Sequence, residues 1–145
     1  MKTILSTPTS ELTTPYLRKI VGETIKWCEK NLGKKRYKIT YRVRTLGHVQ
    51  YPQHARYNYG IRTMTIFRDH CPDVKMVICS VLHEYTHYLQ NLRWYENVLY
   101  KVGYENHPQE IEAREMENRY NECWEQIKLI NIWETFWKQY FLDTW

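Results

Sequence analysis

The sequence predicts a small α+β domain. Apolar residues recur at the 3.6-residue helical period in three long stretches, while one short stretch alternates with a period of two. At 145 residues there is room for one core, so a single domain over residues 1–145 is expected. A composition of 43% hydrophobic and 26% charged residues is that of a globular chain and excludes a disordered one. The 13 Tyr and 6 Trp supply bulky side chains for the core.

Residues 1–14 are rich in Thr and Ser and read as a flexible tail. Pro15 suits a first helical turn, with Thr14 as its N-cap. Leu17, Ile20, Val21, Thr24, Trp27, Cys28 and Leu32 then fall on one helical face, and Gly33 suits the C-terminal end. This predicts a helix over 15–32. Tyr37, Ile39, Tyr41, Val43 and Thr45 alternate with Lys38, Thr40, Arg42 and Arg44, which predicts a strand with one basic, solvated face. Residues 61–68 are a second strand. The segment 47–60, interrupted by Pro52, reads as a long loop or as an extension of both strands into a hairpin.

Pro72 opens the next helix. Val74, Val77, Ile78, Val81, Leu82, Tyr85 and Leu89 form a strong stripe through about residue 92. A polar and aromatic connection follows, to Gly103. Asn106 then reads as a cap, with Pro108 in the first turn and Gln109 three residues after the cap. Ala113, Met116, Tyr120, Cys123, Trp124 and Ile127 continue this helix, and Trp133, Trp137 and Phe141 mark another stripe. A break near Asn131 is expected, with about 126–145 as a C-terminal helical extension, because one unbroken helix would span roughly 55 Å.

Charge is unevenly distributed. Residues 1–75 carry 15 basic and 5 acidic side chains, a balance of +10; residues 76–145 carry 6 and 11, a balance of −5. A basic half invites a polyanion such as nucleic acid, and the alternative is two halves that face and neutralise each other. No stretch approaches 18 apolar residues, so no membrane span is expected. The N-terminus lacks a signal-peptide core, which points to the cytoplasm. Cys28, Cys71, Cys79 and Cys123 form no Cys-x-x-Cys pair and sit in apolar stretches, so buried free thiols are expected.

Residues 83–87 read His-Glu-Tyr-Thr-His. On a helix, residues i and i+4 share a face, so His83 and His87 can turn their imidazoles to one metal ion. Neutral imidazole suits Zn²⁺, and Glu84 falls beside the ion without binding it. There it can take a proton from metal-bound water and hand it to a leaving amine. An open catalytic site needs a third ligand. Glu110, in the first turn of the helix after His107, can be presented by a helix packed against the first; Glu112 and His107 are the rivals.

The pair HEYTHYLQ and E-I-E-A resembles the gluzincin metallopeptidases, and its compact form is similar to the ImmA/IrrE-type and minigluzincin-type proteins. The resemblance covers roughly residues 40–120. It implies a zincin-like fold: a small twisted β-sheet packed on an active-site helix, then a glutamate helix and a C-terminal helix. It also implies Zn²⁺ held by His83, His87 and Glu110, since in those families the ligand lies three residues before the alanine, here Ala113. The families place Asp or Asn just after that alanine; this chain has Arg114.

Metzincins fit less well, because Gln90 and Arg93 stand where they carry Gly and a third His. Peptide deformylases fit less well too, because no Cys lies between Cys28 and Cys71 to serve as third ligand. The expected function is zinc-dependent hydrolysis of peptide bonds with Glu84 as general base and acid. The alternatives are a SprT-like DNA-linked protease using His107, and a non-catalytic binding or regulatory protein on the same scaffold.

The zincin resemblance further implies a sheet edge that binds peptide as an added strand, either near residues 47–51 or in the strand 61–67. Arg42, Arg44, Arg56, Arg62 and Arg68 would lie near that cleft and favour acidic protein or peptide segments. Tyr59, Tyr104, Tyr120, His107 or an arginine would supply an oxyanion donor. His48, His54 and His70 read as exposed or structural.

Overall fold

The computed structural model describes residues 4–45 and 53–128. These form a mixed α+β fold: α1 (Thr14–Leu32), β1 (Thr40–Arg44), β2 (Ala55–Asn58), β3 (Thr63–Phe67), α2 (Val74–Leu89), α3 (Tyr95–Val102), α4 (Pro108–Met116) and α5 (Tyr120–Ile127). Short 3₁₀ turns lie at Ile4–Ser6, Thr9–Glu11, Arg68–His70 and Glu117–Arg119. Residues 46–52, with His48 and the whole of the proposed 47–51 edge, lie outside the described residues. So do 129–145, with Asn131 and most of the C-terminal extension.

α2 is the centre of the molecule. Asp73 caps it, its side chain accepting from the Met76 N–H at 2.8 Å. Val74, Val77, Ile78, Val81, Leu82 and Tyr85 are fully buried. A helix that is apolar on nearly every face must be covered on every face. α1, α4, α5 and strands β2 and β3 all pack on it. α1 brings Leu17, Ile20, Val21 and Cys28 to the same core. Its cap is Thr13 rather than the expected Thr14, the Thr13 side chain accepting from the Tyr16 N–H.

The sheet runs in the order β1-β3-β2, with β1 parallel and β2 antiparallel to β3. This corrects one expectation and decides another. The segment 61–67 is not an edge: β3 is the central strand, bonded on both sides, and four of its five residues are buried. Of the two readings of 47–60, the hairpin is the nearer in its described part: Ala55–Asn58 is a strand and forms a hairpin with β3, though not with β1. Four residues are too few to show alternation in a sequence. β1 buries only Val43 along its length, and Tyr41 is 37% exposed, because an edge strand is covered on one side alone. Tyr41 crosses closely over α1: a Cβ at residue 22 would meet its hydroxyl at 2.6 Å, so Gly22 makes room for it.

Residues read as a tail are ordered instead. Ile4, Thr7, Thr9 and Leu12 are buried, and Pro8 bridges Asp73. The Arg68 guanidinium donates to Thr14 Oγ1 and Thr9 O, both at 2.7 Å, and to Leu12 O. Arg68 is therefore a clamp on the N-terminal turns rather than a cleft residue. Residues 95–102, read as a connection, are helix α3; Tyr95, Val98, Leu99 and Val102 sit at helical spacing over only two turns. The cap of α4 is His107 rather than Asn106. The stripe read as one helix from Pro108 to Ile127 is interrupted at Glu117–Arg119, and the break expected near Asn131 lies outside the described residues.

The four cysteines are free and buried. Burial pushes the Cys71 and Cys123 thiols up to about 12 and Cys79 to about 11. Few thiolates exist near pH 8 under those conditions, so the native chain should alkylate at least roughly a hundredfold more slowly than the urea-unfolded chain. Mass spectrometry after timed iodoacetamide treatment checks this, and a fast-reacting thiol in the native chain would contradict it. Arg68→Ala removes three charge-assisted hydrogen bonds and should cost about 2 kcal/mol or more in urea denaturation. A loss below about 0.5 kcal/mol would show that the clamp is unimportant.

Candidate metal centre

The centre is built from two crossing helices. α2 places His83 and His87 one turn apart on the face that meets α4. Pro108 opens α4 and the His107 ring caps it, Nδ1 accepting from the Gln109 N–H at 3.1 Å. That puts Glu110 in the first turn. Ala113, one turn on and wholly buried, keeps the helix contact close enough for the Glu110 carboxylate to reach the histidines. Glu110 Oε2 lies 3.1 Å from His83 Nε2, and Glu110 Oε1 lies 2.9 Å from His87 Nε2. The two Nε2 atoms are 3.2 Å apart. All three donor groups fall within 4.8 Å of one another.

The outer partners decide what these atoms can do. His83 Nδ1 meets Glu117 Oε2 at 2.9 Å, and His87 Nδ1 meets Gln90 Oε1 at 2.8 Å. Gln90 is held the right way round because its Nε2 donates to Gln109 O and Glu112 Oε1. A carboxylate and an amide oxygen only accept, so each Nδ1 carries the hydrogen. Both Nε2 lone pairs then face the Glu110 carboxylate. Three acceptors turned on one point repel unless a cation lies among them. Two imidazole nitrogens and a carboxylate, each oriented by an outer partner, are a donor set that could hold a divalent metal ion.

The same surroundings favour the protonated imidazoles. Burial works to lower the His83 pKa, but hydrogen bonds to Glu110 and Glu117 outweigh it and raise it to about 9. His87 is raised too, against burial, by Glu110. Burial would raise Glu110, yet the two histidines and Tyr95 hold it well below the usual carboxylate range. Tyr95 donates to Glu110 Oε1 at 2.6 Å and stacks on His107 with centroids 4.2 Å apart.

Glu84 is buried between α2 and the sheet, with the Tyr57 backbone of β2 in hydrogen-bonding reach. Burial pushes its carboxyl up, opposed by charge on His83 and His87. It opens on a cleft of about 840 Å³. β2 forms one wall, the ends of α3 and α4 the other, and the donor cluster the floor.

The structure thus brings His83, Glu84, His87 and Glu110 together. It does not bring the two rival ligands. Glu112 is exposed and bonded to Gln90. His107 has both ring nitrogens in use, Nε2 meeting Tyr95 O at 3.1 Å. Of the five sheet-side arginines, Arg56 alone lines the cleft. Arg42 bonds Thr65, Arg62 covers Tyr37, and Arg44 is exposed. Tyr59 and Tyr104 line the cleft, whereas Tyr120 packs under Lys75 elsewhere. His54 is exposed at the rim, and His70 bonds Gln53 O.

Sequence reasoning missed Gln90, Tyr95, Arg114 and Glu117. Helical spacing marks three of them: Gln90 follows His87 by three, while Arg114 and Glu117 follow Glu110 by four and seven. Nothing in the sequence marks Tyr95. No protein-family model, no curated protein and no solved structure matches this chain.

Metal analysis of the purified chain should find one divalent ion per molecule, lost in His83→Ala, His87→Ala and Glu110→Ala. Glu117→Gln keeps the ligands but loses the anchoring carboxylate, and should weaken affinity roughly ten- to a hundredfold. Undiminished binding by Glu110→Ala would overturn the assignment.

Proposed function

We propose that the chain is a zinc-dependent metallopeptidase that hydrolyses protein or peptide substrates in the cleft beneath β2. One observation carries this reading. Beside the three converging donors sits a second carboxylate, Glu84, which is buried, outside the donor cluster and open to the same cleft. A purely structural metal site has no use for such a group, so the reading as a non-catalytic scaffold is not favoured.

Zinc held by His83, His87 and Glu110 would supply Lewis acidity, polarising a carbonyl and lowering the pKa of a water to about 7. The protein's own groups do the rest. Glu84 accepts a proton from the attacking water, whose oxygen forms the new bond to the carbonyl carbon. As the carbon–nitrogen bond breaks, Glu84 returns the proton to the leaving amine. Burial suits it to this relay, because it raises the carboxyl and so favours its taking up the proton. Glu117 and Gln90 keep both Nε2 lone pairs aimed inward, and Tyr95 keeps Glu110 from swinging away. Tyr59 and Tyr104 are the hydroxyls on hand for the developing oxyanion.

β2 is bonded to β3 on one side, and among the described residues its other edge pairs with no strand. An extended peptide can add there and lie along the cleft. The His107-ligand alternative gains no support, because its ring nitrogens already serve Gln109 and Tyr95. Four buried free thiols suit a reducing, cytoplasmic setting. No helix among the described residues is long and apolar enough to cross a membrane.

Glu84→Gln is the decisive variant. It should bind one zinc yet cleave a peptide library roughly 10²- to 10⁴-fold more slowly than wild type. Chelation should abolish wild-type cleavage and zinc should restore it. Activity that survives either the substitution or the chelator would sink the proposal.

A further inference from the structure

Arg114 stands where the resembled families carry Asp or Asn, and the partner that His83 needs is supplied by Glu117, three residues later. Helical spacing sets Arg114 one turn beyond Glu110, on the same face, so it lines the cleft. Its Nη2 donates to Glu105 O at 2.7 Å, and its guanidinium lies over the Tyr104 ring, 5.5 Å from the centroid. Its Nη1 is buried and has no hydrogen-bond partner among the described residues. The nearest carboxylates along its helix face, Glu110 and Glu117, are bonded to the histidines.

A buried guanidinium N–H without an acceptor is costly, and native structures rarely leave one so. Here the missing acceptor can arrive with whatever fills the cleft. A guanidinium carries its N–H groups in a planar fork, the shape that a carboxylate matches with both oxygens. Tyr104 lies beneath Arg114 and within hydrogen-bonding reach of Glu110, so Arg114 stands on the donor side of the cleft.

We propose that Arg114 is a specificity residue that receives a carboxylate of the bound peptide close to the bond being cleaved. The carboxylate comes from an acidic side chain or from the peptide's own C-terminus. This inference rests on the peptidase reading for its substrate, but not for its binding chemistry. It moves the preference for acidic segments from the sheet arginines, of which only Arg56 lines the cleft, to the helix side.

The test observes Arg114 itself. The full chain, zinc-loaded, as Glu84→Gln and labelled at arginine Nε, is titrated with three probes by NMR. N-acetyl-glutamate amide offers a side-chain carboxylate, N-acetyl-glycylglycine a terminal one, and N-acetyl-glutamine amide neither. The Arg114 signal is identified by its loss in Arg114→Met, whose unbranched stem still covers Tyr104. A saturable shift with one or both carboxylates and none with the amide is expected, and it names the source. No shift with either carboxylate overturns the proposal, whether or not the chain is a peptidase. A shift that vanishes when zinc is removed assigns the carboxylate to the ion and overturns it as well.

In cleavage of a peptide library, Arg114→Met should lower kcat/KM on acid-bearing peptides by roughly ten- to a hundredfold. Their neutral counterparts should stay within about twofold. An equal loss on all peptides means a structural role and refutes it. Loss of the peptidase reading would show separately, as cleavage indifferent to Glu84→Gln.

Discussion

Two imidazole lone pairs and a carboxylate face one point where α2 and α4 cross, and they cannot share it without a cation. Much of the fold is arranged to keep them there. α2 is buried on nearly every side, so its histidines cannot turn away by rolling the helix. α4 is fixed at its start by Pro108 and the His107 ring, and held close by Ala113. The Nδ1 hydrogens are committed outward, which leaves the repelling atoms inward. Proton or metal, something positive has to sit between α2 and α4.

That constraint also explains the charge pattern. Part of the acidic charge in the second half of the chain is engaged at the donor cluster and around it. Glu110 and Glu117 are spent on the histidines, and Glu112 steadies Gln90. Of the arginines in the basic first half, Arg56 lines the cleft, whereas Arg68 clamps the N-terminal turns, Arg42 bonds Thr65, and Arg62 lies over Tyr37. The asymmetry that first suggests a polyanion partner is, for these groups, internal wiring.

The parts legible in the sequence are those whose chemistry depends on local spacing. The His83–Glu84–His87 pattern, the long stripes of α1 and α2, and the burial of the thiols all follow from periods of three to four residues. The parts that were not legible depend on distant contacts or on very short elements. β2 has four residues and gains its identity only from pairing with β3. Residues 4–12 look like a polar tail because Arg68, more than fifty residues away, satisfies their carbonyls. Tyr95 reaches Glu110 from a two-turn helix whose apolar stripe is too brief to stand out. Choosing among Glu110, Glu112 and His107 needed the crossing of α2 and α4, which sequence spacing alone does not define.

An ion bridging His83 and Glu110 would also be a cross-link. It joins positions 27 residues apart and closes the chain between them into a loop. Such a closure stabilises the folded state by restricting the unfolded one, much as a disulfide does, but it can be undone by lowering the metal supply. α3 lies inside that loop, buries none of its residues fully, and is tied to α4 mainly through Tyr95. Scarcity of metal would therefore be felt first as looseness of one wall of the cleft, and availability of the ion would set the lifetime of the protein as well as its chemistry.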